Sequence, residues 1–240
     1  MMPVAPQDKP GDKALLDCLA DYRGRLTTQP VKQVWKNFRQ AKCGKGWFAA
    51  LLAAYGKRCV YCDHCPAWTI EHVSPKTSEG DDPFEWSNWL PACGDCNRGK
   101  STLELLDPLE VDPRAFLQFD LLTGEPLLID QADGHPHARA KRMVENLGLK
   151  NQVFKDARRA KLRQAALKLR ELMDAANATD LAEFAKELQR AEPHRAILRE
   201  LFLEDDALLN PHAALARKAK EAHPELVEWA TRPLESALAA

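Results

Sequence analysis

Residues 57–100 read KRCVYCDHCPAWTIEHVSPKTSEGDDPFEWSNWLPACGDCNRGK, and this stretch decides how the rest of the chain is read. Two Cys-x-x-Cys pairs bracket it, Cys59/Cys62 and Cys93/Cys96. A Cys-x-x-Cys turn presents two thiolates to one ion, and two such turns supply the four sulfurs of a closed tetrahedral zinc site. A zinc ion there would staple both ends of an element with little core of its own. His64 and Cys65 sit too close to Cys62 to complete that tetrahedron as well as the paired turns do, so both read as bystanders.

Between the turns, residues 68–72 (Trp-Thr-Ile-Glu-His) favour a strand, and the acidic, proline-bounded residues 78–83 favour a loop. Trp86, Trp89 and Leu90 read as packing beneath the strand, a reading that for Trp86 competes with base stacking. A short helix is expected at Asn97, beside the second cysteine turn.

Outside the stretch, 45% hydrophobic and 29% charged residues over 240 positions describe an ordinary globular chain with room for one large domain or two modest ones. No apolar run reaches the ~20 residues of a membrane span, so no membrane partner is expected. The start of the sequence has no basic-then-apolar signal pattern, which argues against export. Seven cysteines would leave one unpaired in a disulfide scheme. Four on zinc and three free in a reducing cytoplasm is the expectation. The net charge of −1 is unlike that of a protein that holds nucleic acid unaided.

Helical periodicity marks residues 13–26 and 31–41, with Pro30 at the entry to the second. After Gly44 and Gly46, residues 47–55 are apolar nearly all round and predict a buried helix ended by Gly56. These three helices read as scaffold. Residues 1–11 read as a loose tail. Beyond the second cysteine turn, residues 117–122 and 126–129 predict a hairpin around Thr123-Gly124-Glu125. A helix over 137–147 should stop at Gly148, and Asn151 should cap the next, running to about Asn177. Further helices follow from Thr179 or Asp180. Residues 137–170 carry eleven Lys/Arg against Glu145 and Asp156. That excess suits a nucleic-acid track, a docking surface or a solvated helix face alike.

The order Glu71-His72-Val73-Ser74-Pro75-Lys76, then Asn88-Trp89-Leu90-Pro91, then Cys96-Asn97-Arg98-Gly99-Lys100 resembles the HNH endonucleases of the four-cysteine zinc type. That resemblance implies a mainly α chain holding a small ββα-metal (HNH, His-Me finger) nuclease element. It implies His72 as general base and Asn88 as the residue that braces the loop and orients it. It also implies Glu71 and Asn97 as ligands of a catalytic Mg²⁺ or Mn²⁺, with Glu71 one methylene longer than the family's usual Asp. Such chemistry needs a neutral imidazole to take a proton from water, and a hard cation on oxygen ligands to offset charge on the phosphate. Soft thiolates suit zinc instead, so two metals with separate roles are expected. Lys76, Arg98 and Lys100 lie within a few residues of this set and are candidate phosphate contacts.

The expected organisation is a helical scaffold over 1–56, the nuclease element over 57–110, and a hairpin with helices over 111–240. Over residues 45–170 the order of motifs is similar to the HNH subfamily that includes PtuB of the Septu anti-phage system and retron-associated HNH proteins. This implies a cytoplasmic antiviral-defence effector cutting DNA, with RNA not excluded, beside an ABC-type ATPase (PtuA-like). The helices from Asn151 onward are then the expected docking surface. The alternatives are a stand-alone restriction or homing-type nuclease, and a zinc-stabilised binding module without catalysis.

Overall fold

The structure is a computed structural model and describes residues 8–76, 82–129, 134–174, 184, 195–205, 207–208 and 210–231. The expected tail over residues 1–7, the loop over 77–81 and the helix start at Thr179 or Asp180 lie outside these residues. Three helices open the chain: α1 (Lys13–Arg25), α2 (Val31–Gln40) and α3 (Lys42–Tyr55). Asp12 caps α1 by accepting from the Leu15 amide at 3.0 Å. Pro30 stands at the N-cap of α2, where its missing N–H costs nothing. Val34, Trp35 and Phe38 form the inward stripe of α2.

The third helix starts a turn earlier than the apolar run suggests and takes Gly44 and Gly46 into its first turns. The reason is close packing. A Cβ on Gly44 would lie 1.9 Å from the Phe38 carbonyl oxygen, so only glycine lets α3 cross α2 here. Packing of α1 on α3 also corrects the expectation of three free thiols. Cys18 and Cys43 are joined by a disulfide with Cα atoms 6.4 Å apart, inside bridging range. A separation of 25 residues gives no hint of that proximity. Outside the Cys-x-x-Cys pairs, Cys65 is the remaining free thiol.

The next elements are β1 (Thr69–His72), β2 (Trp89–Ala92) and α4 (Gly94–Lys100). The strands are antiparallel, with Thr69 opposite Ala92 and His72 opposite Trp89. Alternation along β1 sends Thr69 and Glu71 toward α4, and Ile70 and His72 toward the aromatic core. Trp35, Phe38, Trp47, Phe84, Trp86 and Trp89 fill that core with ring centroids 5.1–6.2 Å apart. Trp86 is buried here, as packing rather than stacking requires. Residues of α1, α2, α3, both cysteine turns and the following helix α5 (His135–Asn146) share this one core.

The hairpin β3 (Leu117–Asp120) and β4 (Glu125–Leu128) follows α4, then α5 and α6 (Gln152–Asp174). Gly148, at φ +63°, ends α5, and Asn151 caps α6 by accepting from Val153 at 3.0 Å. A second core joins α6 to α7 (Arg195–Leu203), α8 (Ala213–Ala222) and α9 (Glu225–Thr231). Bonds at Asp63 and Arg114 tie this layer back to the first half of the chain. The Ala196 amide, in the first turn of α7, donates to Asp63 Oδ2 at 2.9 Å. Arg114 donates to the Ala230 carbonyl at 3.0 Å. Among the described residues, no helix is long and apolar enough to cross a membrane.

Glu200 on α7 is buried, and burial pushes its carboxyl up to about 7. A carboxyl raised in the folded state contributes its full stability below the unfolded value near 4.5, and that contribution is lost as pH rises through 7. Glu200→Gln should therefore raise the melting temperature at pH 8 and leave it unchanged near pH 4.5. The gain is at most about 3 kcal/mol. Thermal scans at the two pH values check this, and an equal effect at both would refute it.

Candidate active site

The four sulfurs of Cys59, Cys62, Cys93 and Cys96 lie within 4.8 Å of one another, and all four residues are buried. Each turn carries one N–H···S contact of 3.5 Å, from Cys65 N beyond the first pair to Cys62 Sγ and from Cys96 N within the second pair to Cys93 Sγ. Asp63 takes a left-handed backbone, φ +54°, which lets the first turn double back so that Cys59 N reaches the Cys65 carbonyl at 3.0 Å. The donor set is soft, fourfold and closed, which fits a structural Zn²⁺. His64 and Cys65 stand outside it.

His72 ends β1 with its ring 4.4 Å from that of Trp35 and is 3% exposed. Its Nε2 lies 2.8 Å from the Pro83 carbonyl oxygen. A carbonyl only accepts, so Nε2 carries the hydrogen, and in the neutral ring Nδ1 holds the lone pair. Nδ1 is buried and has no hydrogen-bond partner. Burial, together with the charges of Lys76 and Lys100, lowers the imidazole to about 3, so it is neutral at physiological pH. A neutral imidazole locked in one tautomer, with its free lone pair at a known atom, is the chemical form of a general base.

Asn88 lies in the 3₁₀ turn before β2 and clasps the chain just past His72. Its Oδ1 accepts from the Ser74 amide at 2.7 Å, and its Nδ2 donates to the Ser74 carbonyl at 3.1 Å. The Asn88 carbonyl also accepts from the Val73 amide at 3.0 Å. Asn88 thus fixes the backbone on which His72 stands.

The acidic side of β1 differs from what the resemblance implies. Glu71 is buried, and its Oε1 lies 2.8 Å from Lys100 Nζ on α4. Lys100, 1% exposed, also donates to the His72 carbonyl at 2.7 Å. Burial raises the Glu71 carboxyl while Lys100 pulls it down. Asn97, one turn earlier on α4, turns its amide nitrogen to Thr69 Oγ1 and the Ile70 carbonyl, both at 3.2 Å. An ammonium holds the one carboxylate, and the amide nitrogen braces the strand. As arranged, Glu71 and Asn97 do not fit a Mg²⁺ or Mn²⁺ ion.

The three candidate phosphate cations part ways. Lys100 is interior, so it meets Glu71 rather than the surface. Arg98 is exposed and paired with Asp95. Lys76 is half-buried, with Nζ 5.6 Å from the Trp35 ring centroid, and so shares that ring with His72. Lys100 as an ion-pair partner was detectable in principle, since it follows Asn97 by three residues and so faces the same side of α4. Trp35 and the Pro83 carbonyl carry no such local signal.

Removing one member of a buried ion pair strands the other charge. Lys100→Met should destabilise the protein by about 3–5 kcal/mol. Adding Glu71→Gln to it should recover most of the loss. Denaturant titration of the four proteins in that cycle checks the coupling, and purely additive effects would refute the pair.

The HNH endonuclease family model matches residues 59–103, under a fifth of the 240 residues. The chain thus holds an HNH endonuclease domain with a four-cysteine site able to ligate metal. No curated protein and no solved structure matches the chain.

Proposed function

We propose that the chain hydrolyses phosphodiester bonds in nucleic acid, DNA first, with His72 Nδ1 as the general base. The observation that carries this reading is the buried lone pair on Nδ1, in a neutral ring whose other nitrogen is fixed on Pro83. A water oxygen attacks phosphorus as its proton passes to Nδ1. The bond from phosphorus to the leaving oxygen breaks, that oxygen takes a proton from solvent and the imidazolium returns its own to solvent, giving a phosphomonoester and a hydroxyl. Lys76, half-buried beside the Trp35 ring that also packs on His72, is the cation we assign to the phosphate. Burial is the main cause of the low imidazole value and persists, but the anion's arrival beside Lys76 offsets the added effect of that charge, so Nδ1 becomes more basic once substrate is bound. The zinc cluster holds the two strands and α4 in register and takes no part in the chemistry.

A second reading, a zinc-stabilised binding module without catalysis, is favoured by the Glu71–Lys100 pair and by the burial of His72. Plasmid incubated with purified, zinc-loaded protein, with and without added Mg²⁺ or Mn²⁺, separates the two. Nicking or linearisation supports hydrolysis. Intact plasmid in every arm supports the binding module, and cutting at defined sites by the chain alone supports a restriction or homing-type enzyme.

The similarity over residues 45–170 supports a further step, in which the chain is the effector of an anti-phage defence system beside an ABC-type ATPase. Co-purification tests it. Truncation from Thr179 is a poor probe of that docking, because it removes α7 and with it the Ala196 bond to Asp63. Charge reversals on the exposed face of α8, such as Arg217→Glu and Lys218→Glu, leave those bonds in place. If neither these nor matched changes on α6 reduce recovery of the ATPase, docking through the carboxy-terminal helices is wrong.

A further inference from the structure

The surface of α2 is a row of cations. Lys32, Lys36 and Arg39 recur at four- and three-residue spacing opposite the buried stripe of Val34, Trp35 and Phe38, and all three are exposed. The helix contains no acidic residue. Among the described residues, none of the three pairs with a carboxylate, unlike most other cations near the site. Arg23 is held by Asp82 and Glu85, Arg98 by Asp95 and Arg139 by Glu104. The three cations line a groove of about 680 Å³ together with Gln33, Gln40 and Trp35. With Pro30, its lining residues are three cations, two amides and one tryptophan, and no carboxylate.

Trp35 joins this groove to the base. The residue is part of the groove lining, and its ring lies 4.4 Å from the His72 ring and 5.6 Å from Lys76 Nζ. Beyond Asn88 lies a second cleft, about 390 Å³, with the opposite character. Asp82, Glu85, Glu104, Asp107 and Glu110 line it against one cation, Arg139. A polyanion is repelled there and attracted along α2.

We infer that the outer face of α2, centred on Lys32, Lys36 and Arg39, binds the phosphodiester backbone of nucleic acid and delivers a phosphate past Trp35 to His72. The inference rests on the hydrolase reading for the delivery step and gives that reading its substrate path. Lys32 and Arg39 are about 10 Å apart along the helix axis, close to three phosphates at about 3.4 Å of rise each on one strand. The contact is with the backbone, so it is independent of sequence. It also accounts for how a chain of net charge −1 holds nucleic acid: locally, on one helix face.

This displaces the basic run over 137–170 as the binding track. There Arg139 pairs with Glu104, Lys150 and Lys155 with Glu125, and Arg159 with Asp156. Arg158 is buried on the Gly124 and Leu149 carbonyls. Five of its eleven cations are engaged in this way, Arg158 inside the fold and four in surface pairs.

The test is binding of the full zinc-loaded chain, without added Mg²⁺ or Mn²⁺, to a fluorescein-labelled duplex of arbitrary sequence, as DNA and as RNA. Fluorescence anisotropy is followed across a salt series. Lys32→Gln/Lys36→Gln/Arg39→Gln is compared with a charge-matched control on α6, Arg163→Gln/Lys168→Gln/Arg170→Gln. The α2 variant should bind at least about tenfold more weakly at low salt, and its slope of log affinity against log salt should fall by about 2 to 3. The control should keep the wild-type slope. Loss on DNA alone or RNA alone names the substrate, and loss on both makes it the shared backbone. An unchanged slope in the α2 variant, equal loss in the control, or no binding by the wild type overturns the inference. Wild-type plasmid cutting is scored in parallel. Cutting with α2-independent binding sinks the inference and spares the hydrolase, whereas α2-dependent binding without cutting does the reverse for the binding face.

Discussion

His72→Ala should leave plasmid DNA intact under conditions where the wild-type chain cuts it, a loss of about 10²–10⁴-fold if the ring acts only as a base. The substitution also removes a ring packed 4.4 Å from Trp35, so some stability goes with it. Three measurements keep the two effects apart. Zinc content should stay at one per chain, because no cysteine ligand touches the ring. The far-ultraviolet spectrum should keep its helical form at the assay temperature. Added imidazole should enter the vacated space and restore part of the activity, which a purely structural role would not allow. Cutting by His72→Ala at the wild-type rate would end the proposed mechanism.

Cys96→Ser should cost the protein its zinc and, with it, the ordered pairing of β1, β2 and α4. Four sulfurs within 4.8 Å of one another hold together two turns separated by thirty residues of sequence, beside a short two-stranded ladder and the shared core. Zinc binding in small domains contributes about 10–16 kcal/mol, as large as the whole stability of a typical domain at about 5–15 kcal/mol. The loss should also reach the second half of the chain, since Asp63 in the first turn anchors the start of α7. Elemental analysis and a melting scan check this, with Cys65→Ser as the control that keeps its metal. A variant that lost zinc yet melted as the wild type does would show that the ion does not hold the fold.

What the sequence disclosed was what is local. Cysteine spacing marked the four-cysteine cluster, β-branched residues marked β1, and Gly148 and Asn151 marked the end of one helix and the start of the next. The Asn88 brace was legible because the motif order names it. What stayed hidden depends on distant segments meeting. The disulfide needs α1 on α3, and the early start of α3 needs Gly44 against Phe38. The Glu71–Lys100 pair needs β1 laid across α4, and it redirects a residue expected at a metal to an ammonium. Trp35, which links the base to the α2 groove, lies 37 residues before His72 and in sequence is one more tryptophan on an apolar stripe.

The bond between Asp63 and Ala196 also sets a clock. During synthesis at about 5–20 residues per second, the hundred residues from Cys96 to Ala196 take roughly 5–20 seconds to appear. All four thiols are therefore available to zinc while the helix that will rest on Asp63 is still unmade. Loop closure points the same way, because tying residue 63 to residue 196 costs about 1 kcal/mol more chain entropy than tying 59 to 96. In that interval the Asp63 carboxylate has yet to receive the Ala196 amide, and the metal-bound turn is a finished template waiting for the last fifth of the chain.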